Sequence, residues 1–467
     1  MRRSPGPSLL SLARRGLVSL VLIVRGAVLL LRASLRNRGW LRARDGALEC
    51  AQARFARDFV SAAMRFRGGL IKLGQVASLR VDVLPEGVTR ELVRLQDRVE
   101  PHPFAVIAAR VEAELHDSLD ALFAEFGREP IAAASLGQVH RARARDGRCL
   151  AVKVLYPGIQ RSVAVDLAMA RLALWLFDWF TVVELGQVYG ELRSSLHGEM
   201  DYLREGRAAE EIGENMARDP QLAAHVRVPL VHWDLTTRSV LAMEFVEGVK
   251  INEVESEGSA SRDDLVLWAS RAFLHMIFRD GFFHCDPHPG NLLIEPDGRI
   301  AIIDFGMNVR IAPALLEAAR SNARALVSRD ARLYAESLVE AGIVERADLP
   351  VVMEIAEMHF DPAYYNLTPQ EAVSLDLGAY VLRLRVHLKK LRSFRLPDGV
   401  VMGFRATSLL YGLIVELAPG LRPLDLLGPY VMRFLAGDEP ASTLAGSSGD
   451  SLGSQSDTPT VPDGGGR

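Results

Sequence analysis

The chain opens on an apolar stretch, Gly16–Leu31, interrupted once by Arg25. It falls short of the roughly 20 continuous apolar residues that a membrane-spanning helix needs. Arg14, Arg25, Arg32 and Arg36 are spaced 11, 7 and 4 apart, so a helix puts them on one stripe. That pattern predicts a helix lying on an anionic membrane. A packing helix of a soluble fold, or a signal-like segment without a clear cleavage site, is the alternative. From 41 to 125 apolar residues recur at three and four, with breaks at Pro85, Pro101 and Pro103, which predicts helices. Residues 130–156 read as two strands around an Asp146-Gly147 hairpin turn. Helical periodicity returns over 161–216, Val226–Val246 is strand-like, and 262–280 form an amphipathic helix. Loops then alternate with short apolar strands from 283 to 306, and 310–436 are mostly helical. From about 440 Gly, Ser, Thr, Asp and Pro dominate with almost no large apolar residue, which predicts a disordered tail.

Composition sharpens this only a little. The 467 residues are 49% hydrophobic and 24% charged with a net charge of -3, a soluble composition with room for two lobes and extensions. The near-neutral balance argues against a nucleic-acid partner. Cys50, Cys149 and Cys285 have neither metal-ligand nor disulfide spacing, which points to a reducing, cytoplasmic compartment. The first 40 residues hold eight arginines and no acid. Lysine is scarce: Lys72, Lys153, Lys250, Lys389 and Lys390 are the whole set, so a lysine at a motif position carries more weight than usual.

The chemistry concentrates at His284-Cys285-Asp286-Pro287-His288-Pro289-Gly290-Asn291, followed by Asp304-Phe305-Gly306. Phosphoryl transfer from ATP needs a group that positions the attacking atom and oxygen ligands for Mg²⁺. A kinase catalytic loop supplies an Asp for the first role, here Asp286, and an Asn five residues later for metal, here Asn291. Asp304 is then the second metal ligand. Between them Leu292–Ile294 and Ile300–Ile303, joined by Pro296-Asp297-Gly298, read as a hairpin that brings both acids to one cleft. Upstream, Ala151-Val152-Lys153-Val154 resembles the strand whose lysine pairs with ATP phosphates. Alternation turns Lys153 away from Val152 and Val154, although an exposed strand lysine gives the same pattern. Glu205 is the candidate to orient Lys153. On one helix it would lie over Asp201, with Glu199 pointing elsewhere, and solvent-facing carboxylates remain the alternative for all three. Where a kinase carries a glycine-rich loop, this chain has Ala132-Ala133-Ala134-Ser135-Leu136-Gly137-Gln138-Val139. Alanine restricts the backbone and hinders the close approach to phosphates that glycine permits.

The alanine loop, Lys153, Glu199-x-Asp201, the His284–Asn291 run and Asp304-Phe305-Gly306 together resemble the UbiB/AarF family of atypical kinase-like proteins. Lys72-Leu73-Gly74-Gln75 matches that family's Lys-x-Gly-Gln hallmark, and Leu95-Gln96-Asp97-Arg98-Val99 is another family-like string. The resemblance implies an α+β, bilobal protein-kinase-like fold with an N-terminal helical extension lying where a protein substrate would dock. It assigns Lys153 to the phosphates, Glu205 to orienting it, Asp286 to the catalytic-base position, and Asn291 and Asp304 to Mg²⁺. It puts Ala132, Ala133, Ala134, Ser135 and the hinge residues Glu244 and Val246 around ATP or ADP. Lys72, Gly74 and Gln75 would belong to the occluding extension beside Glu199 and Asp201. The expected division is a basic apolar helix (1–40), the extension (41–125), an N-lobe (126–246), a C-lobe (247–436) and the tail (437–467).

The resemblance further implies slow Mg²⁺-dependent ATPase or small-molecule kinase activity in ubiquinone or other isoprenoid-quinone biosynthesis, peripheral to a membrane. Partners would be ATP, a lipid or quinone-pathway intermediate, an anionic membrane surface, and biosynthetic-complex proteins or a second copy of the chain. After Asp304-Phe305-Gly306 the chain turns helical at once and has no Ala-Pro-Glu, so peptide docking with loop phosphorylation is not expected. No C-terminal pair of apolar segments long enough to span a bilayer is visible, because Arg405, Gly403 and Gly412 interrupt Val400–Leu417. A nucleotide-regulated scaffold is the second reading. A phosphotransferase of the aminoglycoside or choline type is a third, disfavoured by the alanine loop and the Lys-x-Gly-Gln extension.

Overall fold

The computed structural model describes residues 7–37, 47–78, 86–93, 95, 100–177, 185–254, 261–373, 383–384, 386–395, 397–424, 426 and 428–429. The expected disordered tail and most of the Leu95–Val99 string lie outside the described residues. Two compact units account for the rest. One is drawn from Met1–Ala272, His284–Val309 and Val401–Leu421, the other from Phe273–Phe283, Arg310–Val400 and Arg422–Arg467.

The first unit begins with helices α1 (Leu9–Asn37), α2 (Ala47–Phe66), α3 (Gly69–Ser78), α4 (Glu86–Val93), α5 (Phe104–Leu115) and α6 (Leu119–Leu122). Strands β1 (Phe123–Phe126), β2 (Ala132–Ala133), β3 (Gly137–Ala144) and β4 (Cys149–Leu155) follow. Helices α7 (Ile159–Phe177), α8 (Leu185–Glu199), α9 (Tyr202–Ala217) and α10 (Pro220–Ala223) separate them from β5 (Val226–Arg227), β6 (Val240–Glu244) and β7 (Val249–Lys250). Helix α11 (Arg262–His275) runs into a single π turn, Met276–Asp280, so the helix expected over 262–280 changes its winding in its last turn. The chain passes through the second unit's Phe273–Phe283 segment, which holds that turn and most of β8 (Phe282–His284), and returns with β9 (Leu292–Ile294), β10 (Ile300–Ile302) and β11 (Asn308–Arg310). One antiparallel sheet has the order β1-β3-β4-β6, with β2 on β3, and a second has the order β5-β10-β9-β7. Strand alternation works as expected on β4: Leu150, Val152 and Val154 are fully buried while Ala151 and Lys153 face the other way.

The helical extension has its own core, in which Ala56, Val60, Ala63, Leu70, Ile71 and Leu95 close on one another. Gly74 belongs there for a steric reason: a side chain would run into Leu95 and come within 3.0 Å of Phe59. Helix α1 carries more than the arginine stripe read from its spacing: it has a buried inner face and an exposed apolar one. Its inner face carries Arg15, Ser19, Leu22 and Ile23, all buried, while Leu10, Leu17, Val24 and Val28 are exposed. Arg14, Arg25 and Arg32 border this outer apolar stripe on one side.

The second unit is helical: α12 (Pro313–Ser328), α13 (Ala331–Glu340), α14 (Leu349–His359) and α15 (Pro369–Val373). Ala335, Ile343, Val344 and Val352 form its core. The buried Asp348 carboxylate accepts the backbone N–H groups of Arg392 (3.0 Å) and Ser393 (3.3 Å). Helix α16 (Asp398–Leu417), which belongs to the first unit from Val401 on, continues through Arg405 without a break. By length and composition its Gly399–Leu417 stretch is long and apolar enough to cross a membrane, which the interruptions read from the sequence had discounted.

Candidate functional site

Lys153 is held centrally in the sheet, opposite Val139 of β3 and Leu241 of β6. Its Nζ donates to Glu205 Oε1 at 2.6 Å and lies 3.8 Å from Asp304 Oδ1. Glu205 comes from the first turn of α9, where a carboxylate complements the helix dipole. That helix starts at Tyr202, with Asp201 as its N-cap accepting from the Arg204 N–H. Helix α8 ends at Glu199, so Glu199, Asp201 and Glu205 do not share one helix, and the cap breaks the face expected to carry Asp201 and Glu205. The Tyr202 ring, fully buried, lies 5.3 Å from Lys153 Nζ as a cation–π partner. Sequence reasoning passed over Tyr202, whose one signal is its place directly after Glu199-x-Asp201.

The electrostatics follow from burial against pairing. Burial works against the Lys153 ammonium, but the attraction of Asp304 and Glu205 outweighs it and holds the group protonated well above its ordinary range. Burial pushes the Glu205 carboxyl up, with Lys153 pulling the other way. The Asp304 carboxyl is held below the usual range: burial opposes this but is overcome by Lys153, the Gly306 N–H, His284 and Lys72.

The catalytic-loop candidates approach through backbone contacts. Asn291 Nδ2 donates to the Asp286 carbonyl at 3.2 Å, and the Ile303 N–H donates to the Asn291 carbonyl at 3.1 Å. The Gly306 N–H donates to Asp304 Oδ1 at 2.8 Å. With its amide nitrogen so engaged, Asn291 has its side-chain oxygen for a cation, and the Asp304 side chain is 42% exposed. An amide oxygen and a carboxylate are hard oxygen donors of the kind Mg²⁺ takes, so these residues fit the ion. The Asp286 N–H donates to His284 Nδ1 at 3.2 Å. Burial lowers the His284 pKa and keeps the imidazole neutral, and it pushes the neighbouring Cys285 thiol up to about 12, an unreactive state. Arg405 of α16 places Nη2 3.9 Å from Asp286 Oδ1. The sequence showed that arginine only as an interruption of an apolar run.

The alanine segment is part strand, part turn. Ala132 and Ala133 form β2 opposite Val139 and Gln138, and the Ala134 N–H donates to the Gly137 carbonyl at 2.8 Å. Ser135 is buried, and its carbonyl accepts from the Gly68 N–H at 3.1 Å. At the expected hinge, the Glu244 N–H donates to the Leu230 carbonyl and the Phe245 N–H to the Cys149 carbonyl. The Glu244 carboxylate takes a 2.7 Å hydrogen bond from Arg227, and Val246 is buried.

Lys72 of α3 pairs with Glu199 and lies 3.7 Å from Met307 Sδ. Glu199 Cγ, Asp304 Oδ1 and Glu205 Oε2 all approach Gly306, within 3.9 Å of where its side chain would start. The structure therefore brings Lys72, Lys153, Glu199, Glu205 and Asp304 into one charge cluster. Asp201 stands apart from it, 3.4 Å from Arg238 Nε. Gln75 lies on α3, but its side chain is outside the described set.

Residues 94–338, a little over half of the chain, match the ABC1 atypical kinase-like domain. An uncharacterised Synechocystis sp. protein is 30% identical over 85% of this chain and 70% of its own length. The chloroplastic ACTIVITY OF BC1 COMPLEX KINASE 7 of Arabidopsis thaliana is 32% identical over 78% of this chain, which spans 52% of that protein. Among solved structures, the Rv3197–erythromycin complex of Mycobacterium tuberculosis is similar with a TM-score of 0.52 and 25% identity, over 75% of this chain and 89% of that one. The fold is thus kinase-like, and the chain belongs to the ABC1 atypical kinase-like family, the UbiB/AarF group that its motifs resemble.

Proposed function

We propose that this protein binds ATP or ADP with Mg²⁺ and acts as a slow ATPase or a small-molecule or lipid kinase, serving isoprenoid-quinone biosynthesis such as that of ubiquinone at a membrane. The observation that carries the reading is Lys153 held between Glu205 at 2.6 Å and Asp304 at 3.8 Å. When bound, Mg²⁺ supplies charge neutralisation on the phosphate oxygens. Asn291 and Asp304 would hold it. Lys153 would meet the phosphates, with Glu205 fixing its direction, and Ala132, Ala133, Ala134 and Ser135 would cover them. The hinge at Glu244 and Val246 would meet adenine. Asp286 would accept the proton of the attacking hydroxyl or water.

A small acceptor suits the short connection after Asp304-Phe305-Gly306, because only six residues separate Gly306 from the start of α12 at Pro313. The mycobacterial neighbour was solved with erythromycin, itself a small molecule. The second reading, a nucleotide-gated scaffold, draws on Arg405: a guanidinium 3.9 Å from Asp286 competes for the carboxylate and restrains it as a base.

Peripheral membrane contact is supported by the outer face of α1. Leu10, Leu17, Leu20, Val24, Val28 and Leu31 are exposed there, bordered by Arg14, Arg25 and Arg32. The α16 stretch Gly399–Leu417 is a second apolar candidate. The test is phosphate release with Mg²⁺-ATP, with and without anionic liposomes. Slow release that rises with liposomes, and a double variant Leu17→Gln/Val24→Gln that no longer sediments with them, is expected. Unchanged sedimentation of the double variant would remove the α1 assignment, and absence of nucleotide binding would remove the functional reading.

A further inference from the structure

Among the described side chains of α1, Arg15 is the most buried charged group, 5% exposed, and the chemistry of the cleft makes no direct use of it. Its guanidinium serves four acceptors. Nε and Nη2 engage the two oxygens of Asp166 on α7, Nη1 donates to the Phe66 carbonyl at 2.7 Å, and Nη2 donates to the Arg67 carbonyl at 2.6 Å. Phe66 is the last residue of α2, so Arg15 satisfies carbonyls that the helix end leaves without partners. Asp166 does the complementary work, accepting the backbone N–H groups of Gly69 and Leu70 at the start of α3.

Between these caps lies an elbow of two consecutive left-handed residues, Arg67 (φ 59°) and Gly68 (φ 67°). A side chain on Gly68 would start 3.1 Å from Arg15 Nη2, and one on Gly69 2.7 Å from Asp166 Oδ2, so the glycine pair is what lets both caps close. The elbow reaches the nucleotide site in two ways. The Gly68 N–H donates to the carbonyl of Ser135 in the alanine loop at 3.1 Å. One turn beyond Gly69, α3 presents Lys72 to Glu199. Burying an ion pair costs desolvation that its Coulomb attraction only partly returns, and its best-attested use is to fix one arrangement among several.

We propose that Arg15 and Asp166 are positioning residues of the nucleotide site: they fix the Arg67–Gly68 elbow, which holds the alanine loop through Ser135 and launches the helix bearing Lys72. The proposal rests on the reading that this site binds and turns over ATP. It also makes α1 more than an anchor, because the helix with the exposed apolar face is linked through Arg15 to the elbow, whose Gly68 N–H bonds the alanine loop.

The test compares Arg15→Ala and Arg15→Lys with Asp58→Ala. The last breaks the exposed 2.6 Å pair between Arg25 and Asp58 on the same two helices without touching the elbow. Both Arg15 variants are expected to raise KM for ATP and Kd for Mg²⁺-ADP about tenfold with kcat within about twofold, since the loop holds the phosphates equally in ground and transition states. The Gly68 amide should exchange with solvent correspondingly faster. Asp58→Ala should leave all of these within about twofold. Arg15→Lys keeps the charge but not the fork of donors, so it stays informative if Arg15→Ala fails to fold. A folded Arg15→Lys with wild-type KM, Kd and Gly68 protection would overturn the proposal. So would a loss of kcat at constant KM, the sign of a merely structural role. Wild-type protein that binds no nucleotide would overturn the functional reading instead, and Gly68 exchange in the nucleotide-free variants would still decide the elbow.

Discussion

Two lysines of the charge cluster are placed by different means: Lys153 Nζ lies 3.8 Å from Asp304 Oδ1, and Lys72 pairs with Glu199. Lys153 rides on β4, paired along its length with β3 and β6, and its glutamate is 2% exposed. Lys72 rides on α3, a ten-residue helix started by Asp166 and steered by Arg15, and its glutamate pair is partly open to solvent. Sheet register fixes the first lysine; no ordinary fluctuation slides a ladder by a residue. Helix packing and one buried ion pair fix the second, and such contacts have more than one arrangement within reach. The difference teaches that the Lys153–Glu205 pair is built into the sheet, whereas the placement of Lys72 is conditional on what holds α1, α2 and α3 together.

The strongest way to break this comparison is at Asp304, whose carboxyl feels the charge of both lysines. Asp304→Asn removes a charged ligand and is expected to lower Mg²⁺-dependent nucleotide affinity by at least about a hundredfold; unchanged affinity by calorimetry would sink the metal assignment. Next, Lys153→Met leaves Glu205 buried without its cation and should cost about 3 kcal/mol of stability. Lys72→Met leaves a less buried partner and should cost about 1 kcal/mol. Denaturant midpoints check both, and equal costs would erase the distinction between the two regions.

Smaller is the effect of pH. Burial lowers the pKa of His102, His140, His284 and His359 from 6.5. Below about pH 6.5 the unfolded chain takes up protons that the fold refuses, so stability is lost as pH falls. A melting temperature that stayed flat from pH 7 to pH 5.5 would contradict this. Smallest is Ala133→Gly, expected to loosen the loop and shift the ratio of ATP to ADP affinity by about threefold, or ~0.7 kcal/mol. An unchanged ratio would show that the alanines are incidental.

The parts legible in the sequence are those with short-range signatures. Asp286, Asn291 and Asp304 flank a hairpin whose apolar runs and Asp297-Gly298 turn are local, and Lys153 faces away from Val152 and Val154 through strand alternation. Three things were not legible. The cap at Asp201 splits a run that reads as one helix, because a single aspartate serves a helix interior or an N-terminus equally in the pattern. The orientation of α1 was read from arginine spacing, yet the deciding residue was Arg15, whose partners Asp166, Phe66 and Arg67 are far away in sequence. Arg405 likewise shows its contact with Asp286 only once α16 is placed. The last two depend on tertiary partners, about which spacing along the chain is silent. For the same reason, removing residues 1–40 is a poor test of membrane anchoring alone, since it deletes Arg15 with the apolar face.

The most direct test of the account is to measure Mg²⁺-ADP binding and phosphate release from ATP side by side in wild-type protein and Asp286→Asn. The account predicts slow release by the wild type, release in the variant reduced at least about a hundredfold, and nucleotide affinity within about threefold between the two. Equal release by both proteins, or no nucleotide binding by the wild type, would contradict it.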